Sequence, residues 1–132
     1  MYKLTHHITS LPTSQYIQEY RNPEKFISFC QQCERYNRCW ACPPFEFNTD
    51  EYLSGYQQTY IIGTKITFET ATRNSCTTLE QHKTISLQAI ESARKIIDPQ
   101  LLTLEHEYPD SRAFYAGTCH LCPLNSCTRI NG

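Results

Sequence analysis

Eight cysteines, seven of them gathered into two short stretches, constrain this chain more than any other feature of its sequence. Cys30, Cys33, Cys39 and Cys42 form one group, Cys119, Cys122 and Cys127 the other, and Cys76 stands alone between them. Disulfide frameworks spread their cysteines to staple distant loops and need an oxidising compartment. Metal sites need several thiolates converging on one point. The grouping therefore predicts metal chemistry. The density, 8 in 132 residues, also falls short of the roughly 8 to 10% typical of small disulfide scaffolds.

The rest of the composition narrows the setting. A length of 132 residues fits a single cysteine-rich domain over 1–132, and the 39% apolar share predicts a small core. Lys plus Arg is 12 against 13 for Asp plus Glu, with no run of five like charges, so nothing points to nucleic acid or to a membrane surface. Apolar runs are far too short for a transmembrane helix. The start, Met1 to His7, lacks the apolar stretch of a secretory signal, which predicts a cytoplasmic location.

The first group reads C-x2-C-x5-C-x2-C and is followed by Pro43-Pro44. A CxxC turn lets both thiolates point to one side, so Cys30, Cys33, Cys39 and Cys42 can surround one centre. Four sulfurs suit a [4Fe-4S] cluster or a tetrahedral zinc. The five-residue gap is much shorter than the roughly 12 to 20 residues of common zinc fingers and ribbons, and favours iron-sulfur. Tyr36, Trp40 and Phe45 are placed to shield such a cluster from water, and burial with backbone amides around Pro43-Pro44 would tune its potential.

The second group, C-x2-C-x4-C, supplies three thiolates and needs a fourth ligand to close a site. Cys76 is the spare cysteine; His120 is the alternative, although a residue between two ligands generally points away from the metal. A buried structural thiol is an equal reading of Cys76. Cys119-His120-Leu121-Cys122 also has the form of a thioredoxin-like dithiol if it follows a strand and opens a helix at Pro123. That alternative leaves Cys127 and the whole first group unexplained.

Periodicity predicts an α/β or α+β fold with cysteine-rich loops. Residues 2–8 alternate like a strand, Ser14 can cap a helix ending near Tyr20, and Asn22-Pro23-Glu24 caps and starts a helix bearing Phe26, Ile27, Phe29 and Cys30. From Cys33 to Phe47 no periodicity remains, so order there must come from a ligand or from aromatic packing. Asp50 can cap a short helix through Tyr56, and residues 59–68 are rich in β-branched and aromatic types. Thr77-Thr78-Leu79-Glu80 has capping-box spacing before a helix in which Ser86, Ile90, Ala93 and Ile97, flanked by Ile85, Ala89 and Ile96, recur at three- and four-residue intervals. Asp98-Pro99 should break that helix and start another with Leu101, Leu102 and Leu104, and residues 112–117 read as a short strand. Strand, helices, strand predicts a β-α-β unit whose parallel strands bring Cys76 and Cys119 to one sheet edge.

At Phe29-Cys30-x2-Cys33-x2-Tyr36-x3-Trp40-x-Cys42-Pro43-Pro44-Phe45, followed by Tyr52, Tyr56 and Ile61-Ile62-Gly63-Thr64-Lys65, the sequence resembles a family of predicted metal-binding proteins, domain of unknown function 2284. Ala116-Gly117-x-Cys119-x2-Cys122 fits as well. The resemblance implies metal binding through these cysteines, with iron-sulfur the implied cofactor and no established reaction. Proteins of this family normally run on past the equivalent of Gly132 into a further cysteine, a basic residue and a proline. The resemblance thus implies a chain truncated at its C-terminus here, and a fourth partner for Cys119, Cys122 and Cys127 beyond Gly132. No dinucleotide loop, Walker loop or Ser-His-Asp arrangement accompanies the cysteines, so the expected role is a redox or electron-transfer accessory with a redox partner protein. The competing class is a zinc-stabilised, non-catalytic binding module.

Overall fold

β-branched residues and register build the one sheet. In the computed structural model, which describes residues 1–123 and 126–131, β1 (Tyr2–Pro12) and β2 (Gln58–Phe68) pair into a two-stranded antiparallel ladder. Its ends are fixed by the Glu69 amide donating to the Met1 carbonyl at 3.1 Å and the Thr13 amide donating to the Gln57 carbonyl at 3.0 Å. Helices α1 (Thr13–Tyr20), α2 (Pro23–Gln31), α3 (Thr49–Ser54), α4 (Thr70–Ser75), α5 (Leu79–Glu107) and α6 (Thr128–Asn131) complete the element order β1-α1-α2-α3-β2-α4-α5-α6. Among the described residues no helix is long and apolar enough to cross a membrane.

The chain divides into two compact units, residues 1–9 with 61–115, and residues 10–60 with 116–132. In the first, Tyr2 stands edge-on to Phe68 with ring centroids 6.1 Å apart, His6 Nδ1 and Thr64 Oγ1 share a 3.0 Å hydrogen bond, and the N-terminal ammonium pairs with Glu69 at 2.8 Å. The long helix α5 opens with a capping box: Thr78 Oγ1 accepts from the Gln81 amide and Gln81 Oε1 accepts from the Thr78 amide. Ile85, Ala89, Ala93, Ile97 and Leu101 recur every four residues on its less exposed face, where Ala89 and Ala93 are buried. Ile90 lies outside that stripe and is exposed.

Two expectations for this unit are corrected. Pro99 does not break the helix: α5 runs through it to Glu107. Proline removes one backbone hydrogen bond, but the stripe continues past it, and Arg94 binds Asp98 at 2.9 and 3.1 Å across the preceding turn. Nor do residues 112–117 form a strand, so there is no β-α-β unit, and the topological reason for setting Cys76 opposite Cys119 falls away. The backbone there is bound locally instead. The Ser111 amide donates to the Tyr108 carbonyl, and the Ala113 amide is taken by the Glu105 carboxylate at 2.8 Å, leaving no edge for β2 to pair with.

In the second unit α1 packs on α3, and Arg21, just past α1, binds Asp50 and Thr49 at the start of α3. Asn22 caps α2 through the Lys25 amide, with Pro23 at its first position, as the sequence predicts. Asn48 rather than Asp50 caps α3, accepting from the amides of Asp50 and Glu51. Thr13 is buried, its hydroxyl 2.9 Å from that of Thr59. Phe26 and Phe29 on α2 are exposed, stacked on each other rather than on a core.

The continuity of α5 has a measurable consequence. Replacing Pro99 with Ala should stabilise the protein by about 1 to 3 kcal/mol and raise helical ellipticity, since a proline is removed from a helix interior. Thr78→Ala should cost about 0.5 to 2 kcal/mol through loss of the cap. Thermal melts followed by circular dichroism check both; an unstable Pro99→Ala variant would mean that the helix is interrupted there.

Candidate metal centre

Seven of the eight cysteines fall in the second unit. Cys76 falls in the first, half-buried at the C-terminal cap of α4, its amide bonded to the Arg73 carbonyl. The two CxxC elements of the first group close in the same way. The Cys33 amide donates to the Cys30 carbonyl at 3.0 Å, and the Cys42 amide donates to the Cys39 carbonyl at 3.0 Å. This is the tight turn that the spacing predicts. Between the two turns the chain reverses: the Tyr36 amide donates to the Cys33 carbonyl and the Asn37 amide to the Pro43 carbonyl at 2.8 Å, with Asn37 in the left-handed region at φ 59°. Asparagine tolerates that conformation better than most residues. The Pro43-Pro44 peptide is cis.

What holds this loop is a residue the sequence reading passed over. Arg129 sends Nη1 to the carbonyls of Cys39 at 3.0 Å and Cys42 at 2.5 Å, and Nη2 to the Pro44 carbonyl at 2.5 Å and to Asn37 Oδ1 at 3.2 Å. Its guanidinium lies 5.5 Å from the centre of the Trp40 ring, and Trp40 Nε1 donates to Thr128 Oγ1 at 2.8 Å. Trp40 is 64% exposed. It serves to dock residues 127–129 rather than to shield sulfur, which is a correction to its expected role. Phe45 belongs to another group, stacked on Phe47, which contacts Tyr52 and through it Tyr56, with centroid spacings of 5.4, 5.6 and 5.8 Å. Tyr36 is half-buried.

Docking of the C-terminal segment carries Cys127 onto the first group. The backbone amides of Arg129 and Trp40 donate to its sulfur and hold the thiol below the ordinary cysteine range. Burial opposes them, while the Cys39 thiol and the Arg129 charge add to the lowering. Cys42 is shifted the other way: burial pushes its thiol up, reinforced by Cys39, to which it donates a hydrogen bond, and by Cys33, against the charge of Arg35. Cys42, Cys39 and Cys127 are thus linked in a chain through Cys39, which is 5% exposed and the most buried of them. Cys119 is half-buried and Cys122 exposed; neither joins this linked set. The strand that a thioredoxin-like dithiol would follow is not formed, and the helix expected to open at Pro123 falls on residues 124–125, which lie outside those described.

All eight thiols are free. Among the described residues no three His, Cys, Asp or Glu side chains converge closely enough to hold an ion as they stand. The donor set nevertheless suits a soft metal by its chemistry: two closed CxxC turns, the buried thiol of Cys39 in the second, and a further sulfur, Cys127, receiving two amide hydrogen bonds. Thiolate character decides reactivity. In reduced, metal-free protein, iodoacetamide should therefore label Cys127 several-fold faster than Cys42 near neutral pH, with the gap narrowing as pH rises past the ordinary thiol range. Peptide mass spectrometry reads both rates; faster labelling of Cys42 would contradict the assignment.

Comparison with curated proteins and with solved structures gives no match. A family model matches residues 16–132, a span that takes in both cysteine groups and Arg129. On that match, the chain belongs to the family described as predicted metal-binding protein (DUF2284).

Proposed function

We propose that the cysteine loop holds a sulfur-ligated metal centre, an iron-sulfur cluster of the [4Fe-4S] type, and that the protein works as a redox or electron-transfer accessory to a partner protein in the reducing cytoplasm. The observation that carries this reading is the pair of identically closed CxxC turns, five residues apart, the second of them pinned by one guanidinium. A cluster bound there supplies one-electron transfer. Cys39 and Cys42 would be its anchoring ligands, with Cys30 and Cys33 the other thiols of the loop. Arg129 fixes the carbonyl side of the loop, so that the thiols are the groups left to face a metal. Amide-to-sulfur hydrogen bonds of the kind seen at Cys127 tune the potential of a thiolate-held cluster.

A second reading has its own support. Among the described residues only Cys39, Ala89 and Ala93 are buried apolar residues, and a structural zinc on the same thiols would supply on the order of 10 kcal/mol towards folding. Protein purified without oxygen separates the two. The first reading expects a brown protein that contains iron and sulfide, bleaches with dithionite and loses its colour in Cys39→Ser. Colourless protein with stoichiometric zinc would favour a binding module; protein that takes up neither metal would overturn both.

A further inference from the structure

We infer that the segment 127–131 is a latch, and that its docking through Arg129 controls access to the buried thiol of Cys39. Arg129 donates to the carbonyls of Cys39, Cys42 and Pro44 and to Asn37 Oδ1, and Trp40 Nε1 donates to Thr128 Oγ1. These bonds fall on residues 37–44, around a cysteine that is 5% exposed although Arg38, Trp40 and Ala41 beside it are exposed. Closed, the latch is well specified. A planar fork reaches several acceptors at once, which a lysine cannot do, and the guanidinium also lies 5.5 Å from the centre of the Trp40 ring. Little apolar burial accompanies it: Thr128 is exposed and Ile130 is 46% exposed. Segments held by polar bonds near solvent with few buried apolar contacts open locally, well below the free energy of global unfolding. Once undocked, α6 has four residues, too few to persist as a helix alone. The loop opens with it. Asn37 and Pro44, on either side of the bond from the Asn37 amide to the Pro43 carbonyl, are both held by Arg129, so its departure removes the brace from that chain reversal and bares Cys39. The latch belongs to the reduced chain by itself; that it would thereby gate the entry of a metal rests on the reading of the loop as a metal centre.

Reduced, metal-free protein tests the latch by amide hydrogen exchange and by alkylation with N-ethylmaleimide, the exposed Cys122 serving as internal control. In wild type the amides of Asn37, Cys42 and Ile130, bonded to the carbonyls of Pro43, Cys39 and Cys127, should exchange through one shared opening. Arg129→Gln should speed exchange at Asn37 and Cys42 by at least about tenfold and raise the rate of Cys39 alkylation relative to Cys122 by a similar factor. The amides of Phe26 and Tyr52, bonded within the starts of α2 and α3 of the same unit, should exchange as in wild type. Thr128→Val is the milder variant: it removes only the acceptor of Trp40 and should move the same sites several-fold. Trp40, the one tryptophan of the chain, reports undocking through a change in its emission. Alkylation of Cys39 at the wild-type rate in Arg129→Gln would overturn the latch. So would an equal loss of protection at Phe26 and Tyr52, which would make the segment part of the unit's common structure. Should Arg129→Gln not fold, Thr128→Val and wild type decide, and unequal opening free energies at Cys42 and Ile130 would overturn the inference. Failure of the protein to take up any metal would overturn the reading of the loop as a metal centre and leave each of these outcomes as it stands.

Discussion

The guanidinium of Arg129 is the interaction on which the cysteine loop depends. Residues 33–47 have neither helix nor ladder to engage their carbonyls, and a backbone polar group left unpaired away from water costs free energy comparable to a lost hydrogen bond. One side chain answers three of them, at Cys39, Cys42 and Pro44, and takes the Asn37 side chain as well. The carbonyls it gathers come from both ends of the second CxxC turn, so the turn cannot open without breaking those bonds. Trp40, which a tally of aromatic residues would assign to a core, instead lies out on the surface beneath that guanidinium.

A loop built this way suits thiolate chemistry. The carbonyls of Cys39, Cys42, Pro43 and Pro44 are occupied, the amides of Cys33, Tyr36, Arg38 and Cys42 close turns, and its most buried side chain is a cysteine. Burial pushes the Cys42 thiol up, and the neighbouring thiols of Cys39 and Cys33 push it further in the same direction. The unit around the loop is held by the same kind of discrete polar bonds: Arg21 to Asp50, Thr13 to Thr59, and the asparagine caps of α2 and α3. Such bonds specify geometry more than they bury apolar area.

The features legible in the sequence were those with short-range causes. Asn22-Pro23 reads as a helix start because cap and first-turn preferences act within four residues, and α2 begins there. The capping box at Thr78 is equally local, although its acceptor is Gln81 rather than Glu80. The strand over 59–68 is visible in its β-branched residues, and the CxxC turns in their spacing. What escaped depends on partners far along the chain. Pro99 reads as a breaker until the apolar stripe from Ile85 to Leu101 and the Arg94–Asp98 pair are set against it. Residues 112–117 carry strand-forming types, but the Glu105 carboxylate takes the Ala113 amide. Arg129 is a single basic residue in a short tail with no periodic signal, so nothing local marks it as the clamp of a loop 90 residues away, and proximity in sequence groups Cys127 with Cys119 and Cys122 instead.

The central claim is that this loop presents sulfur, and only sulfur, to a metal. X-ray absorption at the metal edge of the loaded protein tests it most directly. The account predicts a first shell of sulfur alone at about 2.3 Å. A first shell dominated by nitrogen or oxygen scatterers at about 2.0 to 2.2 Å would contradict it.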